Sequence, residues 1–117
     1  MRSTDAPVRH ETWLWLAQRA SAVVLAACVV VHLATIVLAV RGGLTAAEIL
    51  GRTRGSLGWL VFYSIFVVAV AIHAPIGLRA IVREMTAWRG RSLDVAMLAA
   101  AVLLAWLGWR AIGGLFA

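Results

Sequence analysis

Two histidines, His32 and His73, lie inside apolar stretches of this 117-residue chain. A neutral imidazole in hydrocarbon keeps one donor and one acceptor nitrogen, and leaving them without partners costs several kilocalories per mole. An ionisable ring in such a position therefore indicates a functional site. Four roles are open to it: a hydrogen bond between helices, a proton relay, a metal site, or axial ligation of a haem iron.

The residues around the histidines favour some of these roles over others. A proton relay within a membrane usually contains a carboxylate at depth, whereas Glu84 and Asp94 lie only at the edges of apolar runs. A zinc site needs three or four ligands, and Cys28 adds only one to the two histidines. Haem needs an imidazole on each side of a flat apolar slot, which this sequence can supply. An interhelical hydrogen bond stays open beside it.

Helical periodicity places each histidine on a face with small or polar residues. These faces are His73, Gly77, Ala80 and Glu84 in one helix, and Ser21, Cys28 and His32 in another. Gly77 removes a side chain one turn from His73, so either a flat macrocycle or a second helix could approach closely there.

The composition predicts an all-α membrane protein that forms a single domain over residues 1–117. Hydrophobic residues make up 63% of the chain, against roughly 45–50% in a typical soluble domain, and the mean hydropathy is +0.93. Three apolar runs predict transmembrane helices at about residues 13–40, 57–84 and 93–115. We expect an up-down-up bundle that forms part of a larger helix bundle with a partner.

Some local features between and within these helices are also expected. Residues 44–50 form either a short helix along the membrane interface or a loop. Pro75 should kink the second helix or free the carbonyl of Ala71, one turn earlier. The third helix has a short uncharged core, so it needs Arg110 to snorkel and the C-terminal tail to complete the crossing.

All eleven basic residues are arginines, and with five acids they give a formal charge of +6. They lie at the ends of apolar runs and form no single patch, which argues against nucleic-acid binding. Seven flank the start of the first helix and the connection between the second and third: Arg2, Arg9, Arg19, Arg79, Arg83, Arg89 and Arg91. The other four are Arg41, Arg52, Arg54 and Arg110. The positive-inside rule therefore places the N-terminus in the cytoplasm and the C-terminus outside.

The two histidines should lie at different depths in the membrane. His73 is six residues, or about 9 Å, from Arg79, and His32 is thirteen residues, or about 20 Å, from Arg19. Both arginines mark the cytoplasmic edge, so the histidines are offset by about 10 Å and cannot face each other across one iron. If both ligate haem, a partner chain supplies the opposing ligands and two haems are stacked across the membrane.

Two segments in order resemble the haem-b membrane anchor subunits of the succinate dehydrogenase and fumarate reductase family. Residues 18–33, QRASAVVLAACVVVHL, contain an Arg-x-Ser-Ala pattern that begins at Arg19. Residues 72–84, IHAPIGLRAIVRE, contain a His-x-x-x-Gly pattern that begins at His73, followed by an arginine and an acid. The resemblance covers the three helices and therefore nearly the whole chain.

The resemblance implies roles for individual residues. His73 is the axial ligand of haem b, with Gly77 and Arg79 beside the cofactor. Arg19 and Ser21 lie near the haem propionates or the quinone. His32 matches the first-helix histidine of the two-haem members and would be the ligand of a second haem iron.

A quinone site is implied around four residues: Trp15, Arg19, Ser21 and Glu84. Some family members have an acid followed by a tyrosine at the cytoplasmic end of the second helix, whereas here Glu84 is followed by Met85. Trp13, Trp15 or a partner residue would then serve in place of that tyrosine.

By resemblance, the chain is non-catalytic alone and is a subunit of a succinate:quinone oxidoreductase in the cytoplasmic (inner) membrane. It would dock a flavoprotein and an iron–sulfur subunit on its cytoplasmic face and help pass electrons between the latter and membrane quinone. One or two haem b groups would be shared with a second anchor subunit or a second copy of this chain. The alternative is a haem-free membrane scaffold or small transporter in which the histidines make interhelical hydrogen bonds.

Overall fold

Four helices make up the regular structure of the chain. The computed structural model describes the backbone of residues 2–117 and the side chains of residues 8–117, so the side chain of Arg2 lies outside the described residues. The helices are α1 (Arg2–Arg41), α2 (Ala46–Thr53), α3 (Leu57–Met85) and α4 (Arg91–Phe116). All but α2 are long and apolar enough to cross a membrane. The expected all-α membrane fold with three spanning helices is confirmed.

Helix α1 extends well beyond the apolar run that predicted it. It begins at Arg2, before the expected start near residue 13, and contains 40 residues. At 1.5 Å per residue it is about 60 Å long, roughly twice the thickness of the hydrocarbon core. The polar residues before the span therefore continue as helix into the aqueous phase, where Thr12 Oγ1 donates a hydrogen bond to the carbonyl of Val8 (2.8 Å).

Helix α3 is the centre of the molecule, because it packs against both α1 and α4. The connection from α3 to α4 has only five residues, so the two helices are antiparallel neighbours. The arrangement encloses little core in the described residues. The buried apolar side chains are those of Cys28, Ala69, Pro75, Leu93 and Ile112. Most of the apolar surface of the long helices therefore faces lipid or other chains.

Residues 44–50, for which a helix and a loop were both open, contribute to α2. Thr45 caps this helix: its hydroxyl accepts the N–H of Glu48 (3.2 Å), while its own N–H donates to the Glu48 carboxylate (2.6 Å). This reciprocal pair satisfies two otherwise free N–H groups at the helix start. The sequence Thr-x-x-Glu thus explains why α2 begins at Ala46.

Helix α2 and the loop after it hold the C-terminal end of α4. Thr53 is buried, and its hydroxyl donates to the carbonyl of Leu115 (2.9 Å). The N–H of Gly55 donates to the carbonyl of Phe116 (2.9 Å). These bonds satisfy carbonyls that the last turn of a helix leaves free. They fasten the C-terminal tail that was expected to complete the third crossing.

Helix α3 runs without interruption through Pro75, which is buried. Ser56 caps its start by accepting the N–H of Trp59 (3.4 Å). In the C-terminal part of α4, Arg110 lies over the ring of Trp106, 5.2 Å from its centroid. This cation–π contact holds the guanidinium of Arg110 against a ring one turn earlier on the same helix, and its snorkelling to the membrane edge stays a prediction.

Candidate functional site

His73 on α3 contacts Ser21 on α1. Its Nδ1 atom lies 3.4 Å from the hydroxyl oxygen of Ser21. Ser21 is only 6% exposed, and its hydroxyl donates to the carbonyl of Gln18 (3.1 Å), three residues earlier in α1. Because serine is short, this contact requires α1 and α3 to approach closely. The structure therefore brings together two residues that the sequence analysis had placed on separate faces of two helices.

Gly77, one turn beyond His73, permits the same close approach. A Cβ atom added to Gly77 would lie 3.2 Å from Nε2 of Gln18, which is tighter than an ordinary contact. The space that the glycine leaves open is thus filled by the Gln18 amide. Of the two explanations for Gly77, close packing of helices is the one that this geometry favours.

Gln18 is a site residue that sequence reasoning did not single out. Its Oε1 atom is buried and has no hydrogen-bond partner among residues 8–117. A buried acceptor without a donor costs about 1–3 kcal/mol. The available signal was its position three residues before Ser21, which places both on one helical face.

His32 lies against an aromatic cluster on α3. Its Nδ1 atom is 3.3 Å from the hydroxyl of Tyr63. The imidazole meets the ring of Tyr63 edge-on at 5.8 Å and the ring of Phe66 edge-on at 5.6 Å between centroids. The role of Tyr63 as the partner of His32 was not predicted from the sequence, because residue spacing does not fix how two helices rotate against each other.

The histidines contact their neighbours at different levels of the α1–α3 pair. Ser21 and His32 are eleven residues apart on α1, which corresponds to about 16 Å. Tyr63 and His73 are ten residues apart on α3, or about 15 Å. The offset is therefore larger than the expected 10 Å. Within one chain the two imidazoles do not face each other.

An ion-pair cluster joins the long helices beyond His73. Arg79 Nε donates to Asp94 (2.8 Å) and Arg79 Nη2 to Glu11 (3.2 Å), while Arg83 Nη1 also donates to Glu11 (3.0 Å). The side chain of Arg79 is 14% exposed. At 100° per residue, Arg79 points about 120° away from His73 around the α3 axis. Its guanidinium is thus directed toward carboxylates of α1 and α4 and away from the imidazole.

Of the four residues expected at a quinone site, three lie at or beside one open cavity and the fourth, Ser21, lies at the His73 contact. Trp15 and Glu84 line one open cavity of about 450 Å³, together with Gln18 and the three arginines Arg79, Arg83 and Arg89. Arg19 is exposed and lies over the ring of Trp15, 5.2 Å from its centroid. Ser21 lies deeper, at the His73 contact. The cavity combines an aromatic ring, a carboxylate and guanidinium groups at the arginine-rich end of the molecule.

A comparison with protein families identifies the family of the chain. The model of the succinate dehydrogenase/fumarate reductase transmembrane subunit matches residues 4–108. The chain belongs to this family. No curated protein and no solved structure matches the chain significantly.

The family match covers both histidines and most of the three long helices. It identifies the chain as an integral membrane subunit of a succinate dehydrogenase or fumarate reductase complex. The expected resemblance is confirmed at the level of the family.

The two membrane histidines suit the metal of a planar cofactor better than a metal ion held by protein side chains alone. Over the described residues no three His, Cys, Asp or Glu side chains come close enough to hold a metal ion. Each membrane histidine instead offers a single nitrogen. Nδ1 contacts a hydroxyl, while Nε2 has no partner in residues 8–117 and is not buried. One imidazole nitrogen from one chain is what an axially ligated metal of a planar cofactor requires.

Proposed function

We propose that this chain is the haem-b-binding anchor of its complex and that it helps pass electrons between an iron–sulfur subunit and membrane quinone. The observation that carries the proposal is the difference between the two ring nitrogens of His73. Its Nδ1 atom contacts Ser21 at an α1–α3 contact, and its Nε2 atom has no partner in the described chain. Histidines that ligate metals generally use one nitrogen for the metal and the other for a hydrogen bond that orients the ring.

His73 would serve as an axial ligand through Nε2. Haem b, when bound, supplies one-electron redox chemistry. The protein contributes the orientation of the ring and an apolar setting, since the wall of α3 beside His73 is formed by apolar side chains. Gly77 contributes by letting α1 approach, and Arg19 would provide a cation for a propionate at the cytoplasmic edge.

His32 would be the axial ligand of a second haem near the opposite side of the membrane. Its ring is held between Tyr63 and Phe66, and its Nε2 atom is likewise free of partners in the described residues. Because the two histidines lie at different levels, each needs an opposing ligand from another chain. A second anchor subunit or a second copy of this chain would complete a four-helix cage around the haem.

The arginine-rich end of the molecule would face the cytoplasm and dock the flavoprotein and iron–sulfur subunits. Its charge bias supports this orientation under the positive-inside rule. The helical extension of α1 before the span gives that end a surface outside the bilayer. The cavity with Trp15 and Glu84 would admit the quinone head group there, with Arg19 nearby.

The competing function is a haem-free scaffold in which the histidines only link helices. The contacts of His73 with Ser21 and of His32 with Tyr63 are what such a scaffold needs. The two functions differ in the use of Nε2, which ligates iron in one and does nothing in the other.

A reduced-minus-oxidised visible spectrum of the purified complex distinguishes them. We expect a b-type α-band that is lost in His73→Ala and retained in the control His10→Ala, because His10 is exposed before the span. His32→Ala should remove about half of the haem, measured as extracted haem per complex. A wild-type complex without an α-band contradicts haem binding.

The anchor role is tested separately from haem. Affinity purification of the tagged chain from membranes should recover a flavoprotein and an iron–sulfur protein in equal amounts with the chain. Deleting the polar extension of α1 should reduce their recovery. Recovery of the chain without either protein would contradict the docking proposal.

A further inference from the structure

The hydroxyl group of Ser21, at the α1–α3 contact, has a single hydrogen to donate and two possible acceptors for it. The hydroxyl can donate its hydrogen bond to the backbone carbonyl of Gln18, at 3.1 Å, or to Nδ1 of His73, at 3.4 Å. The carbonyl is the nearer acceptor, and serine in a helix commonly donates to a carbonyl three or four residues earlier. When Ser21 donates to the Gln18 carbonyl, its oxygen can only accept a hydrogen bond from Nδ1 of His73.

This direction determines which nitrogen of His73 carries hydrogen. A neutral imidazole has one N–H and one bare nitrogen, and the hydrogen bond made by one nitrogen sets the state of the other. If Ser21 accepts, Nδ1 is protonated and Nε2 keeps its lone pair. If Ser21 donated, Nε2 would carry the hydrogen and could not ligate a metal.

We propose that Ser21 is a positioning residue that holds His73 in the Nδ1–H tautomer, so that Nε2 is ready to bind the haem iron. The proposal rests on the haem-binding function proposed above. Packing restricts the motion of the Ser21 hydroxyl, because Ser21 is buried. The residue whose backbone carbonyl accepts its hydrogen bond, Gln18, is itself held by the packing of its side chain over Gly77.

His32 lacks this arrangement. The hydroxyl of Tyr63 contacts its Nδ1 atom but has no second partner in residues 8–117, so the phenol can either donate or accept. The contact with Tyr63 therefore does not determine which nitrogen of His32 carries the hydrogen. A built-in preference for the ligating tautomer belongs to His73 alone of the two membrane histidines.

The chain offers a matched control in Ser64. Its hydroxyl donates to the carbonyl of Leu60 (2.7 Å) on α3, the same kind of backbone contact, without touching a histidine. Ser21→Ala and Ser64→Ala therefore both remove a helical serine, and only the first removes the acceptor of His73. Ser21→Thr keeps the hydroxyl and tests whether that group is what matters.

The first measurement needs no haem. In a haem-free preparation of the complex with ¹⁵N-labelled histidine, solid-state NMR should show His73 protonated at Nδ1 and unprotonated at Nε2. Ser21→Ala should give a mixture of both tautomers, while Ser64→Ala should match the wild type. A wild-type His73 protonated at Nε2 overturns the proposal, as does an unchanged tautomer in Ser21→Ala.

The second measurement uses the haem-loaded complex. Ser21→Ala should lower haem affinity about tenfold, the lower end of the usual 10–100-fold effect of such partners. It should also shift the low-spin electron paramagnetic resonance signal of the His73 haem and raise its midpoint potential, because the ligand becomes less basic. Ser21→Thr should restore all three values. Equal effects of Ser21→Ala and Ser64→Ala would show a packing role only and overturn the proposal.

The two measurements separate the failure of this proposal from that of the proposed function. A wild-type complex without haem contradicts the function, yet the NMR experiment still decides the tautomer. A complex that binds haem through His73 but gives identical spectra in Ser21→Ala contradicts only the positioning role.

Discussion

Gly108 is the position at which a single methyl group should disturb the bundle most. It lies where α4 crosses α3, and a Cβ atom there would be 2.6 Å and 2.7 Å from the two methyl groups of Val67 and 3.2 Å from its Cβ. Val67 is branched at Cβ, so rotation cannot move both methyl groups away. The helices must separate or strain, and overpacking of this kind costs about 1–3 kcal/mol.

The control is Gly113→Ala, because nothing lies within 4 Å of a Cβ atom at that position of the same helix. Both substitutions gain about 0.5–1 kcal/mol from replacing a helical glycine by alanine. Their difference therefore isolates the clash. We expect Gly108→Ala to be less stable than Gly113→Ala by about 1–3 kcal/mol in reversible detergent unfolding of the chain, followed by circular dichroism.

A double variant tests the cause. In Val67→Ala the two clashing methyl groups are absent, so adding Gly108→Ala to it should cost much less than adding it to the wild type. The coupling energy in the double-mutant cycle should reach about 0.5–3 kcal/mol. Equal stability of the two glycine variants, or additive effects of the double variant, would refute the assigned contact between α3 and α4.

Three further predictions concern the ends of the helices. Thr53→Val should destabilise the chain by about 1–3 kcal/mol and speed hydrogen exchange near Leu115, because it leaves a carbonyl without its donor. Arg79→Gln should cost about 1–2 kcal/mol at low salt, since two carboxylates lose a charged partner; no loss would show that these pairs do not stabilise the fold. The pKa of Glu48 lies below its usual 4.5, first because the backbone N–H of Thr45 and then because its hydroxyl donates to the carboxylate. The capping contribution should therefore be present above pH 4.5 and be lost as the pH falls through the lowered pKa, which a ¹³C NMR titration of Glu48 measures; Thr45→Ala should raise that pKa part of the way.

The sequence was sufficient to predict the three long helices and the limits of α3 and α4, because these depend on local chemistry. Ser56 marks the start of α3, and the apolar runs are long enough to require helix in a membrane. The start of α1 could not be predicted, because the polar residues before Trp13 carry no apolar periodicity and lie outside the hydrocarbon. Capping of α4 by Thr53 was missed for a different reason, since it joins residues 62 positions apart.

The site was predictable in part for the same reason. Helical periodicity identified the stripe of Ser21 and that of His73, and the structure brings these two residues into contact. Periodicity does not specify which side chain of a neighbouring helix fills a gap. The roles of Gln18 over Gly77 and of Tyr63 beside His32 depend on the rotation of α1 against α3, which packing alone determines.

The groups left without partners all point to the same conclusion about the assembly. Nε2 of His73 and Nε2 of His32 are unpartnered within residues 8–117, and so is the buried Oε1 of Gln18. Polar groups at membrane depth cannot be satisfied by water, so the two imidazole nitrogens should find their partners in a ligand or another chain. The same helices bury few apolar residues against one another. Three long helices that bury few residues and leave imidazole nitrogens without partners are what a transmembrane subunit of a succinate dehydrogenase or fumarate reductase complex should look like.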